Sequence, residues 1–379
     1  MAQPRPVAGE PVRTGCLPTP QAGVEIALRD LRKVLRCMAR LKPEWTEASI
    51  SQDGVAVQAM ADDTELAWYL PAWSGGPAPR VPAALLAIKT RPPAHKAVVD
   101  ADGAAALLGA RYGRPRTSGP RWDTALPALL EGEARAGALA RAVMAARQRA
   151  DRPMLSGVCI ETDGTLVASD GHRLSVEQTA LRPSAQVLLP ARAVRLLTSA
   201  VQANAVVSLS VRAVAVPVDP ALVALYGGIS KMAAHGWAEL CCGAVTVRAR
   251  LVPFPCFPYR QLLQGFPGTT VRISAKEALA FARRLRPGQP LQVRANGTVE
   301  LSLFGKEEPS VVVPGATEDG KDVEVVFGAG FFADAVAHAG TQWVRLELDP
   351  RPSYAKRPAA FVGTEGRRMV LMPLLAGTS

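Results

Sequence analysis

Apolar and polar residues alternate on both sides of three short pairs that favour tight turns. The pairs are Asp53-Gly54, Asp163-Gly164 and Asn296-Gly297. Alternation is typical of strands with one buried face, and Asp-Gly or Asn-Gly supplies the positive φ angles that a tight hairpin turn needs. We therefore predict three β-hairpins, at residues 50–57, 160–167 and 293–299.

Helical periodicity precedes and follows each of these hairpins. The preceding helices are predicted to begin near residues 26, 135 and 274, and the following ones near Pro82, Pro190 and Ala329. The order of helix, hairpin, strand and helix thus occurs three times. The three turns lie too far apart for a short solenoid repeat, and their spacing matches whole domains of about 100–200 residues.

The repeat predicts an α+β protein of three tandem domains, each with two helices packed on antiparallel sheets. The predicted domains are residues 24–132, 133–258 and 259–379. Residues 1–23 contain many prolines and glycines and are predicted to be a loose leader. Because no apolar run approaches the roughly 18 residues of a membrane helix, we predict no membrane partner.

Positive charge is concentrated on predicted helix faces. The chain has a formal net charge of +11 and a pI of about 9.7, which favours a polyanionic partner. Residues 24–42 are predicted to form an amphipathic helix, and its cations lie at i, i+3, i+4, i+7 and i+11, on one stripe. They are Arg29, Arg32, Lys33, Arg36 and Arg40. A stripe of one sign suits a surface that faces negative charge.

Further cations lie on the other predicted helices. They are Arg135, Arg149, Arg192, Arg195, Lys276 and Arg283. Ser274 and Glu277 form a capping-box pattern at the start of the third preceding helix. Since no base-reading motif accompanies these cations, we predict phosphate contacts and sequence-independent, salt-sensitive binding of double-stranded DNA.

The cysteines and the catalytic residue types point away from an enzyme. The six cysteines show no CxxC pairing, so we predict neither disulfides nor a zinc site, and a reduced, cytoplasmic compartment. A metal-dependent hydrolase is an alternative reading of two clusters, although neither has the spacing of a known metal motif. The clusters are Asp163, Asp170 and His172, and His95, Asp100 and Asp102. We predict no catalysis, no cofactor and no bound metal.

Four runs of residues resemble one known family. They are Val167-Ala168-Ser169-Asp170-Gly171-His172-Arg173-Leu174, Leu189-Pro190-Ala191-Arg192, Phe257-Pro258-Tyr259-Arg260-Gln261-Leu262-Leu263 and Val370-Leu371-Met372-Pro373-Leu374-Leu375. In this order, the runs resemble the bacterial DNA polymerase III beta subunit, the processivity sliding clamp, over about residues 24–375. Residues 217–237 have no counterpart in the family pattern and read as an insertion, so the chain resembles a divergent member.

The resemblance implies a fold, partners and a binding site. Sliding clamps are head-to-tail homodimers that close into a ring around duplex DNA, with helices lining the hole. A pocket on such clamps accepts short peptides of DNA polymerase and clamp-loader subunits, which carry glutamine and Leu/Phe anchors. The alternative within this fold is a protein that sequesters such partners without encircling DNA.

The resemblance also implies which residues form the pocket. These are Leu155, Ser169, Gly171, His172, Arg173, Leu174, Pro258, Leu262, Val370, Met372, Pro373 and Leu374. Leucine, methionine and proline would supply an apolar floor, and His172 and Arg173 a polar rim.

Overall fold

The computed structural model describes most of the chain between Val24 and Leu374. The described residues are 24–41, 45–51, 54–61, 64–71, 96–99, 122–146, 152–226, 229–263, 268–305, 310–349, 358–364 and 367–374. The predicted leader, the predicted helix near Pro82, and Arg149 lie outside these ranges. The described helices include none with the length and apolar character to cross a membrane.

The first unit, residues 24–132, contains one described helix and five strands. They are β1 (Val24–Ala27), α1 (Leu28–Leu41), β2 (Trp45–Ser51), β3 (Gly54–Ala61), β4 (Thr64–Pro71) and β5 (Lys96–Val99). The prediction of a helix from residue 24 was wrong for its first four residues. They form β1, because they pair with β5 in an antiparallel ladder that the local periodicity cannot reveal.

The middle unit, residues 133–258, is preceded by a strand that starts at Ala128, so the predicted boundary falls inside that strand. The elements are β6 (Ala128–Arg135), α2 (Ala136–Met144), a 3₁₀ turn (Pro153–Leu155), β7 (Gly157–Ile160), β8 (Thr165–Ser169), β9 (Arg173–Gln178), β10 (Val187–Pro190), α3 (Ala191–Ala200), β11 (Val206–Pro217), α4 (Pro220–Tyr226), β12 (Met232–Cys242) and β13 (Val245–Arg250). The residues that read as an insertion cover α4 and the adjoining ends of β11 and β12.

The last unit, residues 259–379, begins with a 3₁₀ turn and contains two helices. The elements are the turn (Tyr259–Leu263), β14 (Thr269–Ser274), α5 (Ala275–Ala282), β15 (Pro290–Ala295), β16 (Val299–Leu303), β17 (Val311–Val313), β18 (Gly315–Asp319), β19 (Val323–Gly328), α6 (Ala329–Ala339), β20 (Trp343–Leu348), β21 (Ala359–Val362) and β22 (Arg368–Leu371). The predicted helices near Pro190 and Ala329 are confirmed as α3 and α6.

The three predicted hairpins are all present, as β2–β3, β7–β8 and β15–β16. Gly164 and Gly297 have φ angles of 84° and 90°, the region that the turn requires. In both turns the loop has three residues, since the last paired positions flank residues 162–164 and 296–298. Gly164 is the last residue of its loop, and a positive-φ glycine at the end of a three-residue loop is another common hairpin connection. Gly297 is the middle residue of its loop.

The capping box predicted at α5 does not form its expected hydrogen bond from the helix backbone to the Ser274 side chain. The Ser274 hydroxyl donates to the Glu277 carboxylate instead of accepting from the helix backbone. This hydrogen bond lowers the pKa of Glu277. The helix still begins at Ala275, directly after Ser274, as the pattern indicated.

Two sheets continue across the boundaries between units. The seven-stranded sheet has the order β2-β3-β4-β13-β12-β11-β6, and the nine-stranded sheet has the order β10-β7-β8-β9-β22-β21-β20-β14-β18. At the first boundary β4 pairs with β13, and at the second β9 pairs with β22, where Leu174 lies opposite Val370. A four-stranded sheet, β17-β16-β15-β19, belongs to the last unit, and the pair β1-β5 belongs to the first.

Helices α1, α2, α3, α5 and α6 share one side of these sheets. Helix α1 packs against α3, α3 against α2, and α5 against α6. Side chains that alternate along the strands form two large cores on this side, one shared by the first two units and one in the last unit. The α+β class with helices on antiparallel sheets is therefore confirmed.

A third buried cluster lies on the opposite side of the nine-stranded sheet, and we call it the outer cluster. Its members are Cys159, Val167, Leu174, Val176, Leu188, Cys256, Tyr259, Ala360 and Val370. The segment that links the middle and last units, residues 251–263, crosses this side and packs Phe254, Phe257 and Leu263 against the cluster. We call it the linker segment.

The prediction that disulfides are absent was wrong. Cys159, on β7, is bonded to Cys256, on the linker segment, with their Cα atoms 5.8 Å apart. The two cysteines are separated by 97 positions, so no local spacing rule links them. They meet because the linker segment passes over β7 within the outer cluster. The other described cysteines, Cys37, Cys241 and Cys242, are free thiols.

Candidate functional site

Five of the residues predicted to form a pocket lie together where β9 meets β22, namely Ser169, His172, Leu174, Val370 and Met372. Ser169 ends β8 opposite Leu174, and Leu174 in turn lies opposite Val370. Leu174 and Val370 point into the outer cluster, where they are buried. The Met372 N–H donates to the His172 carbonyl at 2.9 Å and so fixes the strand end beside the turn. We call this group, with Leu155 beside the turn and with Pro258 and Leu262 of the linker segment, the candidate peptide site.

The turn between β8 and β9 is rigid. Gly171 has a φ angle of 89°, and its N–H donates to the Ser169 hydroxyl at 3.1 Å. The Ser169 hydroxyl donates in turn to the Arg173 carbonyl at 2.7 Å. A Cβ at Gly171 would lie 4.0 Å from Leu155 Cδ1, so Leu155 stands next to this turn. The site is therefore built on a turn whose shape needs glycine.

The rim of the candidate peptide site is apolar and partly exposed. Leu262 is 43% exposed on the 3₁₀ turn of the linker segment, and Met372 is 36% exposed after β22. Pro258, Pro373 and Leu374 are half-buried, and the Leu374 N–H donates to the Val326 carbonyl at 2.8 Å. Exposed leucine and methionine over a buried apolar floor suit the capture of apolar side chains.

An ion pair and a buried ring hold the linker segment at this rim. Arg260 bonds Asp163 at 3.1 Å, and Tyr259 packs into the outer cluster. Hydrogen bonds from the Thr165 hydroxyl and backbone N–H, together with Arg260, lower the pKa of this carboxyl to about 2. Burial raises the pKa of Tyr259 to about 12, so its hydroxyl stays protonated.

The structure directs the Arg173 side chain away from the outer cluster. On β9, Arg173, Ser175 and Glu177 face the helices, whereas Leu174 and Val176 face the outer cluster. The Arg173 guanidinium bonds Asp170, Asp334 of α6 and the Met144 carbonyl of α2, and it is 13% exposed. It also lies over the Phe331 ring, 5.1 Å from the centroid, and the His172 ring stacks on Phe331. Arg173 thus ties the middle unit to the last one.

The predicted cationic stripe of α1 is present where side chains are described. Arg36 and Arg40 are exposed and Lys33 is half-buried, on the side opposite the buried Val34, Met38 and Leu41. With Cys37, Ser199 and Gln202 these cations line a cavity of about 310 Å³ between α1 and α3. Arg29 and Arg32 lie on α1, but their side chains fall outside the described ones. Arg135, Lys276 and Arg283 are exposed.

Two of the predicted cations on α3 bind helix ends. Arg192 donates to the carbonyl of Leu41, the last residue of α1. Arg195 donates to the carbonyls of Val143, at 3.1 Å, and of Ala146, at the end of α2. Carbonyls at a helix C-terminus lack partners within the helix and carry partial negative charge, so cations stabilise them. Sequence reasoning missed this role, which depends on how α3 packs between α1 and α2.

A buried polar cluster joins the middle and last units on the helix side. Glu177 of β9 accepts two hydrogen bonds from Arg141 of α2, at 2.7 and 2.9 Å. His338 of α6 is fully buried, and its Nε2 lies 2.8 Å from the Ser175 hydroxyl and 3.2 Å from Glu177. The Nδ1 atom of His338 has no hydrogen-bond partner. A second proton would therefore sit on a buried atom without an acceptor, and burial lowers the pKa of His338 to about 3.

We expect His338 to make stability depend on pH. The unfolded chain gains a proton on this histidine below its ordinary pKa of about 6.5, whereas the folded chain does not until about pH 3. The contribution of His338 to the free energy of unfolding is therefore fully present above pH 6.5. It falls as the pH is lowered, by about 2 kcal/mol at pH 5. Urea unfolding at pH 7 and pH 5 measures this difference in the free energy of unfolding. His338→Gln, which keeps a donor near Nε2, should lose this part of the pH dependence.

The matched control is His235→Gln, at an exposed histidine of β12. This change should leave the difference between pH 7 and pH 5 as it is in the unmodified protein. An equal pH dependence in the unmodified protein and in His338→Gln would contradict the assignment.

The residues of the alternative hydrolase reading have other partners. Asp170 accepts from the N–H groups of His172 and Arg173, each at 3.0 Å, and Asp163 binds Thr165 and Arg260. His95, Asp100 and Asp102 lie outside the described residues. In the described part of the chain, one group of three potential metal ligands lies together, Cys159, Glu161 and Cys256. Its two sulfurs are bonded to each other, and neither is the thiolate that binds metals.

Solved structures match this chain in fold. The beta subunit from the DNA polymerase of Streptococcus pyogenes has a TM-score of 0.61 at 13% identity, over 93% of this chain and 99% of that one. A sliding clamp, DNA polymerase III subunit beta, from Pseudomonas aeruginosa gives 0.61 at 17% identity, over 94% and 100%. DNA polymerase III subunit beta from Borrelia burgdorferi gives 0.64 at 9% identity, over 94% and 100%.

No family model matches the chain, and no curated protein matches it in sequence. The structural matches show that the chain has the sliding-clamp fold along nearly all of its length. The fold implied by the resemblance of four short runs is thereby confirmed, in a sequence that has diverged far from the solved clamps.

Proposed function

We propose that this chain is a DNA sliding clamp, a processivity factor that encircles duplex DNA without reading its sequence. In this proposal the units 24–132, 133–258 and 259–379 are clamp domains, and two copies join head to tail in the cytoplasm. The protein is an accessory subunit of a DNA polymerase complex and performs no catalysis itself.

The observation that carries the proposal is the one-sided arrangement of helices on continuous sheets. Helices α1, α3 and α2 pack in a row, and Arg173 and the Glu177 cluster join α2 to α6, which packs on α5. The sheets cover the other side of this row. Exposed cations on α1 and α5, such as Arg36, Arg40 and Lys276, are then held towards one space, where they attract phosphates of any sequence.

The strand edge of β17 supports closure by a second copy. Strands β4 and β9, which follow the equivalent hairpins of the first two units, each pair with a strand of the next unit. By position, β17 is their counterpart in the last unit, and among the described strands it pairs only with β16. Val312 on this edge is 62% exposed. An apolar edge with free backbone groups suits pairing with the first unit of another copy.

The candidate peptide site supports the tethering of partners. It presents Met372 and Leu262 over the floor of Leu174 and Val370, on the side of the sheet opposite the helices. A partner peptide bound there would not compete with DNA in the hole. We propose that polymerase and clamp-loader subunits dock here through short motifs with glutamine and Leu/Phe anchors. In this proposal Arg173 acts at the junction between units.

Retention on circular DNA tests the encirclement. In the presence of a clamp-loader complex and ATP, which open the ring, the protein should elute with nicked circular plasmid in gel filtration and be released when the plasmid is cut to a linear form. Light scattering should give a dimer of the 40.0 kDa chain. Combined Arg36→Glu and Arg40→Glu should weaken duplex binding at least tenfold and reduce its salt dependence, by about 0.9 in the log–log slope for each lost phosphate contact.

The control is a variant of the candidate peptide site. Met372→Ala with Leu374→Ala should abolish peptide binding and leave retention on circular DNA intact. A monomer that binds peptide but is never retained on circular DNA would refute encirclement and favour the partner-sequestering alternative. Identical effects of the two sets of substitutions would refute the separation of peptide site and DNA surface.

A further inference from the structure

The Cys159–Cys256 bond lies beneath the candidate peptide site. Both cysteines belong to the outer cluster, together with Leu174 and Val370 of the floor. Cys256 immediately precedes Phe257 and Pro258 on the linker segment, and Leu262 follows on the same segment. The bond therefore joins the strands of the floor to the segment that carries part of the rim.

Apart from the disulfide, the linker segment is held near its rim residues mainly by packing, since Tyr259 is buried in the outer cluster and Phe257 and Leu263 pack against that cluster. Before Cys256, the N–H of Leu251 donates to Gly236 and that of Val252 to Leu188, both at 3.0 Å. Past Cys256, the described residues of the segment form no backbone hydrogen bond to a strand. The Arg260–Asp163 ion pair is exposed on both sides, and such pairs are weak in water. The disulfide is thus the covalent anchor of this part of the rim.

We propose that Cys159 and Cys256 are a redox-modified pair that sets the affinity of the candidate peptide site. This inference rests on the proposed function. With the bond formed, the linker segment is fixed on the outer cluster and a peptide meets a preformed rim. With the bond reduced, part of the binding free energy is spent on ordering the segment, and affinity falls.

The modification is a two-electron thiol–disulfide exchange with a low-molecular-weight disulfide such as oxidised glutathione. One cysteine thiolate attacks the glutathione disulfide, which forms a mixed disulfide and releases one glutathione thiolate. The second cysteine thiolate attacks the protein sulfur of that mixed disulfide, which forms the Cys159–Cys256 bond and releases the other glutathione thiolate. The two protons of the cysteine thiols pass through solvent to the released glutathione.

Cys256 is the cysteine that reacts first with glutathione. It lies on a segment outside any regular strand, which opens more readily than the inner strand β7 that carries Cys159.

Peptide affinity in the two redox states tests the proposal. The probe is a fluorescein-labelled decapeptide with a glutamine and a Leu-Phe pair, and anisotropy gives its Kd for the full chain. The protein is treated with oxidised glutathione or with dithiothreitol, and mass spectrometry records the bond. We expect the reduced protein to bind on the order of tenfold more weakly, about 1.4 kcal/mol. Cys256→Ser should show the weaker Kd under both treatments.

Cys241→Ser is the matched control, because Cys241 is a half-buried free thiol on β12. It should keep the tenfold response. The reduced unmodified protein gives the same comparison if Cys256→Ser fails to fold. Equal Kd values in both redox states, or no bond after treatment with oxidised glutathione, would overturn this inference and leave the proposed function standing. Absence of peptide binding in both states would overturn the peptide site itself, and this inference with it.

Discussion

Replacing Glu177 by glutamine is expected to lower the free energy of unfolding by about 3 kcal/mol. The carboxylate is buried between Arg141 and His338, and Arg367 lies 4.0 Å away. Glutamine keeps the volume but removes the charge, so the Arg141 guanidinium loses its counter-charge where water has little access. Breaking a buried ion pair costs about 3–5 kcal/mol in the free energy of unfolding. We expect the lower end of this range because Arg141 is partly exposed. Urea unfolding measures the change.

Glu324→Gln is the matched control. This residue also pairs with an arginine, Arg294, but both side chains are about half exposed, so its loss should cost less than about 1 kcal/mol. Combining Glu177→Gln with Arg141→Met should recover part of the lost stability, since the uncompensated charge is then removed. Equal losses for Glu177→Gln and Glu324→Gln would show that the buried cluster does not stabilise the junction.

Reducing the Cys159–Cys256 bond is expected to destabilise the middle unit by about 4–5 kcal/mol, in the chain-entropy model for a closed loop of roughly 100 residues. The bond spans 97 positions and holds the linker segment across β7. Reduction frees that long loop in the unfolded chain, while the folded chain loses order only in the linker segment. Tryptophan fluorescence suits the measurement, since Trp122 and Trp237 lie against each other within this part of the fold.

Cys256→Ser provides the comparison. Its urea midpoint should match that of the reduced protein and should not respond to dithiothreitol. Cys242→Ser, at a free thiol, should leave both the midpoint and the response to dithiothreitol unchanged. A reduced protein as stable as the oxidised one would contradict the expected role of the bond.

The elements that sequence reasoning predicted well are those with local causes. Asp163-Gly164 and Asn296-Gly297 need only their own turn chemistry, and the structure gives both glycines positive φ. Helices α3 and α6 follow Pro190 and Gly328, and their apolar periodicity is local too. By contrast, residues 24–27 continue the helical pattern of α1, yet they form a strand because β5 pairs with them.

What the sequence could not predict depends on partners far along the chain. The pairing of β9 with β22 joins positions almost 200 residues apart, and the residue types of the two strands do not indicate that they pair. Arg192 and Arg195 read as surface cations, because their bonds to Leu41 and Ala146 depend on how three helices pack. Likewise, the cluster of His338 and Glu177 exists because α6 and β9 lie side by side, which their local sequences do not indicate.

The candidate peptide site divides in the same way. Matching short runs brought Ser169, Leu174, Val370 and Met372 to one location, and the structure does place them side by side. Arg173 lies within the best-matched run, but strand alternation turns it to the helix side. Successive side chains of a strand point to opposite faces. This rule alone places Arg173 and Leu174 on opposite faces of the sheet.

The two ladders that cross between units have a mechanical consequence. Bending the chain at either boundary would require the hydrogen bonds between β4 and β13, or between β9 and β22, to stretch or break together. Each chain should therefore behave as a stiff arc. If two such arcs form a ring, the ring is most easily deformed at its two interfaces. A clamp loader would then have to open an interface at β17, because bending the chain itself would break the strand pairing.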